Sequence, residues 1–411
     1  MTFKQNSMTY MVILAGISML PPLCIDMNLP AIPDIESAFS IAQGQGSLTL
    51  SLFLLGFSVA PIIGGPLSDR FGRRPTVLTA LMLNTIAAMC CTLEFSFNFL
   101  LFSRLVQGLA SGVCVLAPLA ILRDIYSGAG ARTKLSIIML VGGVAPLIAP
   151  IFGGGILIFA GWRSIYGLQG LLSLILFILI AIGVRETLPK DRRNSIHVGN
   201  IARGYRTLFS DPHFLGFALP QALGFGCIFS YIAGSPALML GEMHLSEQSY
   251  SLIFAFTSFG IMVGSTTSGV LGRKEISVRR IISTSLSLMA LSVMAIFVLT
   301  WTHNDSLLML LPFLFLVMTC FGTAQPNAMS EAVAPWGHMA GAASGAMNSL
   351  QMFMGAIASA VAPILTQIWS PGEAMSLSML CAALLALGTY FVMGQKSKKR
   401  AAQANVEATQ E

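Results

Sequence analysis

Charge is the scarcest thing in this chain. Asp, Glu, Lys and Arg make up 10% of its 411 residues, against about 25% in a soluble domain, and 55% are hydrophobic. This excludes an ordinary soluble fold and implies a chain that crosses a membrane many times. Histidine is also sparse, at five residues, most of them in loops. No Cys/His spacing suits a metal, no glycine-rich phosphate loop occurs, and no nucleophile–base motif is present. An enzyme and an ATP-driven pump are therefore disfavoured, and neither metal nor cofactor is expected. The seven cysteines (Cys24, Cys90, Cys91, Cys114, Cys227, Cys320 and Cys381) all lie in apolar stretches and read as small buried hydrophobes. No cleavable signal peptide is expected, because the apolar run after Met1–Ser7 leads to an acid and prolines. The pI of about 9.0 invites a nucleic-acid reading. The basic residues instead sit in short loops between apolar runs, so no nucleic-acid partner is expected.

Long apolar runs are what the chain has instead. A span needs about 20 apolar residues, and twelve candidates follow: 8–29, 46–64, 76–95, 99–122, 135–158, 163–184, 213–238, 249–271, 280–300, 306–330, 339–367 and 372–394. With the N-terminus inside, all 23 Lys and Arg except Arg104 and Arg163 fall on the cytoplasmic side, as the positive-inside rule requires. An odd count would scramble that asymmetry. Both termini are thus expected in the cytoplasm, with Lys4, Arg132, Gly199 and Lys398 inside and Glu242 and Asp305 outside. The expected fold is an all-α polytopic membrane protein whose twelve transmembrane helices form two six-helix, pseudo-symmetric halves. The halves are residues 1–184 and 213–394, joined by a cytoplasmic central loop at 185–212 and followed by a disordered cytoplasmic tail at 395–411. Gly269-Val-Leu-Gly272-Arg273-Lys274 echoes Gly65-Pro-Leu-Ser about half the chain later.

Between spans 2 and 3 stands Gly65-Pro-Leu-Ser-Asp69-Arg70-Phe-Gly72-Arg73-Arg74-Pro75. Glycines permit close approach and unusual φ, and Pro75 suits a first helical turn. A generic basic turn would not need Asp69 at that spacing. The stretch resembles the loop between helices 2 and 3 of the major facilitator superfamily, G-x-L-x-D-R-x-G-R-[RK], through Gly65, Asp69, Arg70, Gly72, Arg73 and Arg74. In that family Arg73 and Asp124, on neighbouring cytoplasmic ends, would join a charge network that latches one conformation. The bland alternative is a solvated surface pair.

Two ionisable residues lie inside spans, where such groups face the protein interior or a water-filled path. Asp26 is deep in span 1 and is a candidate for taking up and releasing a proton; the alternative is a solvated helix end before Pro30. Asp34, beyond the prolines, reads as a loop residue or cap. Arg104 lies about 8–9 Å below the outer edge of span 4 at 1.5 Å per residue, a depth similar to Asp26, which makes pairing or proton exchange between them possible. Snorkelling to the headgroups is the alternative. Arg104, Gln107 and Gly108 resemble the superfamily's R-x-x-Q-G motif, which implies proton coupling. In span 5, Gly142, Pro146, Pro150, Gly153 and Gly154 resemble the antiporter motif of drug exporters, with altered spacing. A small-residue packing face is the plain reading.

Asp26-Met-Asn-Leu-Pro, Arg123-Asp124-Ile-Tyr126, Ala145–Pro150, Ser230–Pro236 and Pro326-Asn327-Ala-Met together look like the Bcr/CflA subfamily of bicyclomycin- and chloramphenicol-resistance proton antiporters. That resemblance implies export of a small organic compound across the bacterial inner membrane against a proton gradient, by a monomer in the lipid bilayer. Ser18 stands where some relatives carry a second span-1 carboxylate, which puts a two-acid scheme in doubt. Tyr231, Gln325, Asn327, Asn348 and Gln351, with Gln107, are candidates for orienting a substrate or for ordinary interhelical hydrogen bonds. Asn348 and Gln351, three apart, share a face; Gln325 and Asn327 do not. Glu331 is read as a cytoplasmic gate or surface residue. Other readings are an exporter of an endogenous metabolite, such as a nucleoside or siderophore, and a passive channel or membrane sensor, which would not need Asp26 and Arg104.

Overall fold

The computed structural model describes residues 7–93, 95–126, 128–193, 198–304 and 306–410; Lys4 and Asp305, used above to assign sides, lie outside them. Among the described residues every regular element is helical. In order they are α1 (Met8–Asp26), α2 (Ile32–Ala38), α3 (Leu48–Phe71), α4 (Arg73–Cys91), α5 (Phe97–Ile125), α6 (Gly128–Gly183), α7 (Val198–Ser210), α8 (Pro212–Pro236), α9 (Glu247–Arg273), α10 (Val278–Trp301), α11 (Leu307–Val333), α12 (Ala340–Leu365) and α13 (Pro371–Gln410). Eleven stretches of the described residues are long and apolar enough to cross a membrane. One of them, Thr133–Gly183 at 51 residues, is more than twice the length a crossing needs. It breaks at Gly161, whose φ of 67° is left-handed and favours glycine. The break divides it into two crossings, which makes twelve.

Three local readings change. The polar stretch after Gly65 is not a loop. α3 runs on to Phe71 through Pro61 and Pro66, and the connection to α4 is Gly72 alone, at φ 106°. The central segment is not all loop, since α7 occupies Val198–Ser210. Helix also continues to Gln410 through the segment expected to be a disordered tail; its Lys, Ala, Gln and Glu are good helix formers.

The chain forms two compact units. The first comprises 1–196, 232–256 and 362–371, the second 197–231, 257–361 and 372–411. In the first, two apolar clusters hold α1, α4, α5 and α6 together. One gathers Leu14, Ile17, Val77, Leu81, Cys114, Ile121 and Ile180. The other gathers Met27, Ile35, Cys91, Leu100, Ala149, Ile165 and Tyr166. Between the two sets each helix contributes buried residues that are polar or small: Cys24 in α1, Asn84 in α4, Arg104, Gln107 and Ser111 in α5, Gln169 and Ser173 in α6. The core is thus apolar at both ends and polar across the middle.

Helix approach follows glycine. A side chain at Gly56 of α3 would strike the Leu105 carbonyl, and one at Gly108 of α5 would strike the Phe53 carbonyl. The second unit repeats the device: Gly264 of α9 faces the Thr319 carbonyl and Gly322 of α11 faces the Ile261 carbonyl. The partner lies three residues before the opposite glycine in all four cases, which is the internal repeat expressed as packing.

Candidate functional site

Arg104 is 1% exposed, so snorkelling is not its solution. Its guanidinium spreads over three acceptors: Nε donates to the Thr49 carbonyl at 3.3 Å, Nη1 to Gln107 Oε1 at 2.6 Å, and Nη2 to the Cys24 carbonyl at 3.0 Å. The Phe53 ring lies 4.5 Å and the Tyr166 ring 5.6 Å from its centre. A buried cation is tolerated only when its donors are met, and two carbonyls, an amide and two π-faces meet them here. Gly108 makes this possible, since close approach of α5 to α3 brings the Thr49 carbonyl within reach.

Gln107 is the hub of the layer. Its Oε1 takes the arginine's bond, while Nε2 donates to Gln169 Oε1 at 3.0 Å and to Cys24 Sγ at 3.4 Å. Gln169 Nε2 then donates to the Leu23 carbonyl at 3.3 Å. Beside it, Ser111 donates to Asn84 Oδ1 at 3.0 Å. Gln107 is fully occupied, so it orders the network and has no donor left for a substrate.

Asp26 ends α1 and is 5% exposed. Its carboxylate forms no hydrogen bond and no ion pair among the described residues. Of the two relations that similar depth allows, pairing with Arg104 is not the one seen: no Asp26–Arg104 ion pair forms. Arg104 reaches the backbone of α1 at Cys24, two residues before Asp26, because backbone carbonyls supply acceptors without a second buried charge. The arrangement leaves a buried acid without a counter-charge among the described residues, and a buried cation held by backbone and amide oxygens.

The small residues of α6 have a defined task at the same end of α1. A side chain at Gly153 would strike the Met27 carbonyl, and one at Gly154 would meet Ser251 Oγ; Pro150 and Ala149 are buried. Gly142 has open space around it and Pro146 is half-buried, so close contact is confined to the later part of the motif. Also within the first unit, Gln43 Nε2 donates to the Ala237 carbonyl at 3.1 Å. Asp34 is exposed in the first turn of α2, where negative charge is favoured. Glu36, by contrast, is buried and accepts from Gly46 N at 2.9 Å.

At the other end of the unit, Arg73 bonds Asp69 Oδ1 through Nη1, Asp124 Oδ2 through Nε at 3.1 Å, and Ser68 Oγ at 3.1 Å. Thr187 Oγ1 also donates to Asp124 Oδ2 at 3.1 Å. The sequence reading missed Glu186. Its Oε1 accepts from Arg73 N at 2.9 Å, Oε2 from Arg74 N at 3.3 Å, and Oε1 again from Thr187 N and Leu188 N, both at 2.9 Å. Glu186 thus satisfies the open N–H groups at the start of α4, and the space it occupies is the space a side chain on Gly72 would fill. Arg74 donates to the Ala181 carbonyl at 2.7 Å. Arg70 lies over Phe71, and Gly65 has open space around it.

In the second unit, Tyr231 shares a 2.9 Å hydrogen bond with Thr257. The Asn327 Nδ2 is committed to Ser268 Oγ at 2.7 Å and the Thr323 carbonyl at 2.8 Å. Gln325, Asn348 and Glu331 are half-buried. Gln351 is 2% exposed and its Nε2 has no partner among the described residues; the same holds for Gln221 Nε2. Neither Gln221 nor Gln169 was singled out from sequence. The usable signal for Gln169 was Gln169-Gly170 inside an apolar run, the same dipeptide as Gln107-Gly108.

A family model described as Major Facilitator Superfamily matches residues 11–359. The chain is 26% identical over 407 residues to the Bicyclomycin resistance protein homolog of Haemophilus influenzae, covering 97% of this chain and 100% of that one. It is 28% identical over 381 residues to Multidrug resistance protein MdtL of a Shewanella species, covering 91% and 95%. Among solved structures, a D-xylose-proton symporter superposes with a TM-score of 0.71 at 13% identity, over 92% of this chain and 97% of that one, a likeness of fold. The chain belongs to the major facilitator superfamily: it is a multi-pass membrane transporter and not an enzyme.

Proposed function

We propose that this transporter exports small organic compounds across the bacterial inner membrane in exchange for protons, and that it is a drug:proton antiporter of the Bcr/CflA type with both termini in the cytoplasm. The observation that carries this reading is Asp26, a buried carboxylate without a hydrogen-bond or ion-pair partner among the described residues, two positions along α1 from the carbonyl that Arg104 holds. A paired acid would be structural. An unpaired one in a membrane span is free to change protonation as water reaches it. Arg104 biases the site without neutralising it. The drug-resistance names of two relatives support an organic cargo, and the proton gradient supplies the energy, with no cofactor required. Protons and substrate are exchanged by a single chain acting as a monomer. Gln351, Asn348, Tyr231 and Gln325 are the substrate-facing candidates; Gln351 is the strongest, since it holds an unused buried donor. The Asp69–Arg73–Asp124–Glu186 network serves as the cytoplasmic latch.

The test is Asp26→Asn in proteoliposomes with an imposed pH gradient, using bicyclomycin, phenicols and sulfonamides chosen from a susceptibility panel in a pump-deficient strain. Uphill export should disappear while the folded protein is recovered in normal yield. Near wild-type uphill transport by Asp26→Asn removes Asp26 as the coupling site.

A further inference from the structure

The second unit carries a basic pocket that the transport reading does not use. Its first wall is α7. Arg203, Arg206, Thr207 and Ser210 recur at i, i+3, i+4 and i+7 and so form one polar stripe. Ala202, Tyr205, Leu208 and Phe209 recur at helical spacing on another face. Leu208 is fully buried, and Gly204 packs so closely on Met339 that a side chain there would lie 3.1 Å from its terminal methyl. α7 is therefore docked. The second wall is the turn Ala334–Met339, through Pro335 and Trp336, and Asp211 completes a pocket of about 670 Å³, within the usual range for a small-molecule site.

Depth and charge identify the occupant. α7 stops at Ser210, immediately before the span that opens at Pro212, and the opposite wall lies where the span Leu307–Gly337 ends. Both walls therefore stand at a membrane boundary, the level of lipid headgroups, where tryptophan is favoured. Two arginines and one aspartate line the pocket, and the aspartate's carboxylate is committed to α8: Asp211 Oδ1 accepts from His213 N at 3.1 Å and Oδ2 from Phe214 N at 3.3 Å. The surplus is positive and planar, a geometry suited to phosphate. We propose that this pocket binds the phosphate of an anionic phospholipid headgroup and so ties the central segment to the membrane surface.

The full-length protein, purified in detergent, would be incubated with phosphatidylglycerol or phosphatidylcholine and its retained lipid counted by native mass spectrometry. Wild type should prefer phosphatidylglycerol. Arg203→Gln/Arg206→Gln should lose that preference by roughly tenfold or more, Arg203→Lys/Arg206→Lys should keep part of it, and Arg273→Gln, also exposed, should leave it intact. Both arginines are solvent-facing, so the variants are expected to fold, with gel filtration as the check. An unchanged preference in the double glutamine variant overturns the proposal. So does displacement of phosphatidylglycerol by millimolar inorganic phosphate, which would make this a site for a free anion.

Discussion

Replacing Gln107 with leucine tests whether the layer around Arg104 acts as one unit. Leucine is close to glutamine in size, so the loss is polar and not a cavity. Gln107 accepts a 2.6 Å bond from a buried guanidinium and gives a 3.0 Å bond to Gln169. Hydrogen bonds to charged groups contribute about 1.5–3 kcal/mol, and a buried donor left unmade costs about as much. Neutral side-chain bonds inside membranes average nearer 0.6 kcal/mol. Gln107→Leu should therefore destabilise by about 3 kcal/mol, whereas Gln169→Leu, which spares the Arg104–Gln107 bond, should cost about 1 kcal/mol. The double variant should match Gln107→Leu closely, because the bond the two share is lost only once. Chemical unfolding in one fixed detergent, followed by tryptophan fluorescence, reads all three. A Gln169→Leu cost equal to that of Gln107→Leu, or simple additivity in the double variant, refutes the hub.

Two further outcomes concern the network of Asp69, Arg73, Asp124 and Glu186. Asp69→Asn should cut transport at least several-fold while leaving substrate affinity within a few-fold, as paired uptake and equilibrium-binding assays would measure. The reason is that Asp69 pairs with Arg73 at one end of the unit, and its side chain is 47% exposed. Glu186→Gln should lower stability by about 1 kcal/mol, the usual worth of a helix cap, and should increase hydrogen exchange at the amides of Arg73 and Arg74; unchanged exchange there would show that Glu186 does not hold the start of α4.

Much of this was readable from residue order. Spans follow from apolar runs of sufficient length, and the 51-residue helix resolves into two crossings at a glycine that composition alone does not mark. Asp26 and Arg104 stand out because charge inside a span is costly. Their relation was not readable, because Arg104 is satisfied by backbone carbonyls, which every residue carries and no sequence pattern announces. Glu186 was hidden for a similar reason. Its partners are amide N–H groups more than a hundred residues earlier in the chain, brought close only because Gly72 leaves room. The polar stretch after Gly65 misled because prolines and charges usually signal a loop, whereas here α3 keeps its geometry to Phe71.

The two units share a packing device and differ in the chemistry built around it. Aligning Gly56 with Gly264 and Gly108 with Gly322 matches every carbonyl partner: Phe53 with Ile261 and Leu105 with Thr319. The same alignment sets Arg104 opposite Met318 and Gln107 opposite Phe321, both buried and apolar. Glycine contact is thus common to both halves, and charge belongs to one. Gly108→Ala and Gly322→Ala should each cost about 1–3 kcal/mol, because the added methyl meets a backbone carbonyl that cannot turn aside. Their effects on transport should part company. Gly108→Ala pushes α5 away from α3 and lengthens the Arg104–Thr49 bond, already 3.3 Å, so the pH dependence of export should shift. Gly322→Ala should lower the yield of folded protein yet leave the pH profile of what remains unchanged. Transport measured across pH and scaled to folded protein separates the two, and an equal shift in both variants would mean that coupling does not reside in the first half.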